Sequence, residues 1–176
     1  WRADTSKWRI ILATVAASGG ITLGTPQAST SGTSIDFTGI PAGTKRITIN
    51  FNGVSTNGTS AKLIQIGDAG GIEILGYASA GMRIVGSGTP LAGYASAGYA
   101  IYSEVAANEL RGSVILSLEN SSTFTWVAQG ILTLNTANVA LVSGDKSLSQ
   151  ELTQVRITTE NGTDAFDAGN INISYE

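Results

Sequence analysis

TSGTSIDFTGIPAGTKRITINFNGVSTNG, residues 30–58, decides the fold class. Ile47, Ile49 and Phe51 alternate with Arg46, Thr48 and Asn50. A period of two puts one set of side chains on a buried face and the other on a wet face, which is the signature of a β-strand. Pro41–Gly43 and Asn52–Gly53 read as the turns that set its register, and Asn57–Gly58 as a further turn. Almost every side chain that the run leaves for solvent is a hydroxyl or an amide. Such a surface is adhesive and unreactive.

The same alternation continues outward. Ile64 and Ile66 stand against Leu63 and Gln65, and Val114, Leu116 and Leu118 interleave with Ser113, Ile115 and Ser117. Residues 123–134 return from the turn Asn120–Ser121–Ser122 as a hairpin partner, with Trp126 facing the core. Val155 and Ile157 form another strand. Asn161–Gly162 carries the signal of a type I′ hairpin, in which both central residues take positive φ, and Ile171 to Tyr175 alternates as the last strand. Short strands with a turn every ten or so residues predict an all-β chain, an antiparallel β-sandwich of jelly-roll type. The N-terminus differs. Trp8, Ile11, Leu12 and Val15 fall at helical spacing, and the same β-branched residues suit a strand equally. Residues 1–22 are therefore expected to be an arm, a short helix or the end of a preceding segment, and residues 23–176 the sandwich.

Composition narrows the function. Charged residues make up 13% of the 176 residues, about half the roughly 25% usual for soluble domains. With 42% hydrophobic residues, disorder does not explain the deficit. Net charge is −3 and Lys45–Arg46 is the only adjacent basic pair, so no basic stripe for nucleic acid exists. The longest apolar run, residues 10–17, is shorter than the roughly 20 residues that span a bilayer as a helix, so no membrane insertion is expected. The chain has no Cys and no His. Disulfides, thiolate nucleophiles, a Ser-His-Asp triad and the usual zinc ligands are all excluded. No catalytic residue and no cofactor is expected.

Three constellations remain. Asp36, Asp68, Glu73, Glu104, Glu109 and Glu119 could in principle supply the two carboxylates, roughly 5–10 Å apart, of a polysaccharide-degrading enzyme; turn-forming and solvated-strand roles explain them better. Glu160, Asp164 and Asp167 lie close in sequence and offer oxygen ligands of the kind Ca²⁺ takes, although their spacing is not that of an EF-hand and Asx turns explain the aspartates equally well. Tyr77, Tyr94, Tyr99 and Tyr102 could offer ring faces to a glycan or a protein partner, with packing between subunits as the competing role. Tyr77 and Tyr94 sit in a verbatim repeat, GYASAG at 76–81 and again at 93–98, which suggests two equivalent strand-edge or loop positions.

Residues 30–48 (TSGTSIDFTGIPAGTKRIT), 54–60 (VSTNGTS) and 155–176 (VRITTENGTDAFDAGNINISYE) resemble a β-rich domain of tailed-bacteriophage virion proteins. That domain is often found at the C-terminus of tail-fibre-like and unassigned phage structural proteins. The resemblance covers residues 23–176, with a variable middle from about 68 to 107. It implies a virion structural protein that is not an enzyme, self-associating as a homotrimer and contacting other virion proteins. A tail-fibre or tail-tip domain would contribute to host attachment by binding a cell-surface glycan. A capsid decoration protein or head fibre is the alternative. The resemblance carries no catalytic motif to this chain.

Overall fold

The computed structural model describes residues 20–176 apart from positions 87, 104, 107 and 136. All but the end of the expected N-terminal arm, residues 1–19, lies outside the described residues. Fourteen strands are formed among the described residues, and no helix: β1 (Thr22–Leu23), β2 (Gln27–Ala28), β3 (Ser34–Thr38), β4 (Arg46–Thr56), β5 (Lys62–Asp68), β6 (Gly71–Ile72), β7 (Ala78–Val85), β8 (Leu91–Ala95), β9 (Tyr99–Ile101), β10 (Leu110–Asn120), β11 (Thr125–Thr133), β12 (Asn138–Ser147), β13 (Gln154–Thr159) and β14 (Phe166–Tyr175).

They make an antiparallel sandwich. The larger sheet runs β1-β14-β4-β10-β11-β12-β7-β8, with β2 also on β14; the smaller runs β3-β13-β5-β6, with β9 on β5. The alternation of β4 is realised in the pairing. Ile47 faces Leu116 and Ile49 faces Val114 across β4 and β10, and all four are buried. From the opposite sheet come Ile64, Ile66, Val155 and Ile157, so the two inner faces meet as one hydrophobic core. Trp126 lies in it, as expected for a mid-strand aromatic. Full burial of each such side chain contributes about 1.5–3 kcal/mol, the main favourable term for the fold.

Several links carry the chain between sheets, three of them over turns read from the sequence. Pro41–Gly43 joins β3 to β4, with Thr44 N–H donating to the Pro41 carbonyl and Gly43 at φ +83. Asn57–Gly58 joins β4 to β5, and Asn161–Gly162 joins β13 to β14. The last is therefore a crossover, not the type I′ hairpin expected of Asn-Gly. Gly162 alone has positive φ there, and its N–H closes a turn on the Thr159 carbonyl. The two Asn-Gly crossovers are knitted together: the Asp164 carboxylate accepts from Ser60 N–H at 2.9 Å and from the Asn161 amide at 2.6 Å. It occupies the place where a Cβ on Gly58 would be.

Asn52–Gly53 is likewise not a turn. It lies inside β4, where the register against β10 slips between Val54–Leu110 and Asn52–Arg111. Gly53, at φ +68, is a β-bulge, and Gly169 of β14, at φ +86, bulges beside it with its Cα against the Gly53 carbonyl. The paired bulges bend both strands, which brings Val54, Ser55 and Thr56 into the interior.

The variable middle is ordered too. The hairpin of β7 and β8 extends the large sheet, and β9 crosses to the small one. The two GYASAG copies lie largely in this hairpin and pair with one another antiparallel, Gly81 opposite Gly93 and Ala80 opposite Tyr94. Their residues therefore do not occupy equivalent positions.

Candidate functional site

The four candidate tyrosines separate into two that are buried, one that is half-buried and one that is exposed. Tyr77 is only 4% exposed. Its hydroxyl accepts from Ile66 N–H at 2.7 Å and donates to the Glu73 carbonyl at 2.9 Å. Its ring meets Tyr99 edge-on, with centroids 5.1 Å apart. Tyr99 is fully buried and donates to the Trp126 carbonyl at 3.0 Å. Burial pushes both phenols well above their ordinary range, since the phenolate would be desolvated. Neither ring stands free, and Tyr77 only edges the wall of a hollow beside Tyr94.

Tyr102 is half-buried. Its ring lies against the backbone of Gly81 and Gly93, so a Cβ on Gly93 would come within 2.5 Å of the Tyr102 hydroxyl oxygen. That hydroxyl donates to the Tyr94 carbonyl at 3.1 Å. The glycines that end one repeat copy and begin the other thus make room for Tyr102, which backs the strand carrying Tyr94. Tyr94 itself is 90% exposed and rises from the outer face of β8. Beside it is a concavity of about 460 Å³, walled by Ala78, Ala80, Ser96, Ser143 and Gly144.

This concavity belongs to a larger surface. Two cross-strand rows span the outer face of β10, β11, β12, β7 and β8. One is Ser113, Ile131, Leu141, Met82 and Ala92; the other is Ile115, Gln129, Ser143, Ala80 and Tyr94. Neither row holds a charged residue. Ile131 is 67% exposed in the interior of the sheet, and Met82, Ile84 and Val127 are also exposed. Two further hollows open here, about 500 Å³ beside Ile131 and about 350 Å³ beside Met82 and Tyr94. Sequence inspection centred on tyrosines missed Ile131 and Met82. The signal was present in β11, where Val127 and Ile131 are apolar on the face opposite Trp126 and Leu132.

The acidic segment does not gather into a ligand shell. Glu160 is exposed, Asp164 is committed to Ser60 and Asn161, and Asp167 accepts from the Ser55 hydroxyl. Hydrogen bonds from Asn161 and Ser60 hold the Asp164 carboxyl below its ordinary range. Among the described residues no group of three or more acidic side chains is placed to hold a metal ion. Of the other carboxylates, Asp68 and Glu73 meet at Ser149, whose hydroxyl donates to Asp68 at 2.6 Å and whose N–H donates to Glu73 at 3.3 Å. Asp36 is gripped in two-point fashion by Arg156, Asp68 by Ser149 and the Gly70 amide, Glu73 by Lys146, and Glu109 by Arg111. Glu119 is exposed, and Glu104 lies outside the described residues.

One reactive-looking pair went unnoticed in the sequence. The Lys62 ammonium donates to the Ser103 hydroxyl at 2.7 Å, and both residues are fully buried. Desolvation lowers the Lys62 pKa to about 8, against the opposing pull of Asp164 and Asp167. Arg83 and Asn108 donate to the Ser103 carbonyl. A lysine beside a serine is a known way to activate a nucleophile. Here neither side chain has accessible surface, so no substrate carbonyl reaches the hydroxyl, and the pair pins the segment after β9 to β5.

Comparison with protein families, with curated proteins and with solved structures finds no match.

Proposed function

We propose that the chain is a structural protein of a bacteriophage particle, a tail-fibre or tail-tip domain that works as a homotrimer and helps attach the particle to its host by non-covalent contact. The single observation that carries this reading is the placement of Tyr94. It is the most exposed of the candidate tyrosines, set on a rigid strand beside a shallow, hydroxyl-edged hollow with no charged side chain in its walls. An aromatic ring next to serines suits a sugar, whose apolar face stacks while its hydroxyls hydrogen-bond. The phage assignment rests on the resemblance of residues 30–60 and 155–176, and the attachment role on the exposed chemistry.

The test is competition. Saturating purified chain is expected to reduce phage adsorption to host cells, and Tyr94→Ala to abolish that effect while keeping wild-type stability. Unchanged adsorption at saturation would overturn the attachment role. The exposed aliphatic tip Ile74–Leu75 favours a second reading as a capsid decoration protein that clamps a neighbouring protein surface. Labelling of the shell rather than the tail by electron microscopy would select it.

A further inference from the structure

We infer that a second copy of this chain covers the outer face of β10, β11, β12 and β7, with Ile131 as the anchor. The inference rests on the self-association in the reading above, without its stoichiometry, and assigns a surface to it.

Four observations converge on a copy rather than another occupant. First, Ile131 stands 67% exposed on a central strand, not at an edge or a loop tip, and Met82 and Leu141 continue it in register on the neighbouring strands. Exposed aliphatics in a contiguous row mark a surface that is covered in use. They offer dispersion contact but no ring to stack, which suits protein better than sugar.

Second, the face is neutral. Charged residues stand only at its margins, Arg111 at one end of the rows and Asp145 at the other. Two like faces meet without repulsion, although the chain as a whole is acidic. Third, the face is self-complementary. The Ile131 side chain projects beside a hollow of about 500 Å³ lined by Ser113, Ile115, Gln129, Gly130 and Leu141. Knob and hole lie side by side on one surface, so Ile131 of each copy can enter the hollow of another.

Fourth, the size fits. Four strands about 4.8 Å apart and four side-chain rows about 6.8 Å apart give a projected face of roughly 500 Å². A standard interface buries about 800 Å² per partner, and the corrugation of the face closes much of the difference.

The experiment is mass photometry and sedimentation of the full chain as wild type, Ile131→Asp and Leu75→Asp, each with a thermal melt. The wild type is expected at a multiple of the chain mass. Ile131→Asp is expected as single chains with a melting temperature set by the monomer, and Leu75→Asp, exposed elsewhere, is expected to stay assembled. If Ile131→Asp does not fold, Ile131→Thr keeps the β-branched shape and is expected to raise the dissociation constant at least tenfold. Single wild-type chains at all micromolar concentrations, or an undiminished assembly in the Ile131 variants, would overturn the inference. Adsorption competition on the same samples separates the two claims. Single wild-type chains that block adsorption remove self-association and leave attachment standing, and assembled chains that leave adsorption untouched do the reverse.

Discussion

The two GYASAG segments are identical in sequence, yet Tyr77 is 4% exposed and Tyr94 is 90% exposed. The difference comes from where each copy meets the sandwich. Tyr77 lies just before β7, over the small sheet, where Ile66 and Glu73 supply partners for its hydroxyl and Tyr99 supplies an edge. Tyr94 sits inside β8 on the opposite face of the hairpin, with nothing beyond it. Local sequence therefore chooses the strand, and the sheet chooses the environment. One tyrosine became structure and the other became surface.

The largest expected effect breaks this contrast at its buried end. Tyr77→Ala removes a fully packed ring and leaves the Ile66 amide without its acceptor, so a loss of about 3–5 kcal/mol is expected. At about 2–4 °C per kcal/mol for a chain of this size, the melt should fall by roughly 6–20 °C. Tyr77→Phe isolates the hydroxyl and should cost about 1–3 kcal/mol. Urea denaturation measures both. A Tyr77→Ala loss no greater than that of Tyr94→Ala would mean that the two positions are equivalent after all.

Lys62 gives the intermediate effect and tests how dry the interior is. Its pKa of about 8 in the folded chain lies below its ordinary 10.5, so the folded state releases the proton first. Below pH 8 both states hold the proton, and the cost of burying the charge is complete. Between pH 8 and 10.5 the unfolded chain binds more protons, and stability rises with pH. The wild type should therefore gain about 2 kcal/mol relative to Lys62→Met between pH 7 and 9.5. Denaturation of both variants at the two pH values reads the difference, because all other titrating groups are common to both. A flat difference would mean that water reaches the Lys62 ammonium.

How much of this was legible depends on whether the cause is local. Strand alternation is local, so β4, β10, β11 and β14 could be read from Ile47–Phe51, Val114–Leu118, Trp126–Leu132 and Ile171–Tyr175. Asn52–Gly53 misled because Asn-Gly is the strongest short-range turn signal. Yet the correct answer was also written there. Large apolar residues are odd-numbered up to Phe51 and then resume at Val54, and in β14 they shift from Phe166 to Ile171. A phase change of one residue within a continuing apolar pattern is a bulge. The fate of the two repeats was not legible, because the groups that separate Tyr77 from Tyr94 come from β5, β9 and β12. Lys62 with Ser103 was hidden for the same reason: 41 residues separate them, and no spacing rule links the two.

The smallest stability effect is the one most directly tied to function. Tyr94→Ala should change stability by no more than about 0.5 kcal/mol, since the ring contacts solvent rather than core. Its backbone carbonyl, which accepts from Tyr102, is retained in the variant. The same substitution should remove most of the host-surface affinity, because a stacking ring cannot be replaced by a methyl group in a hollow of small side chains. Tyr94→Phe then sharpens the assignment. It keeps the ring face and deletes only the hydroxyl, so near-complete retention of binding would identify stacking as the source of affinity. Equal losses in Tyr94→Phe and Tyr94→Ala would move it to the hydroxyl and its hydrogen bonds. If both variants bind and block adsorption as the wild type does, Tyr94 is a bystander on the outer face, and the contrast between the two repeats is purely architectural.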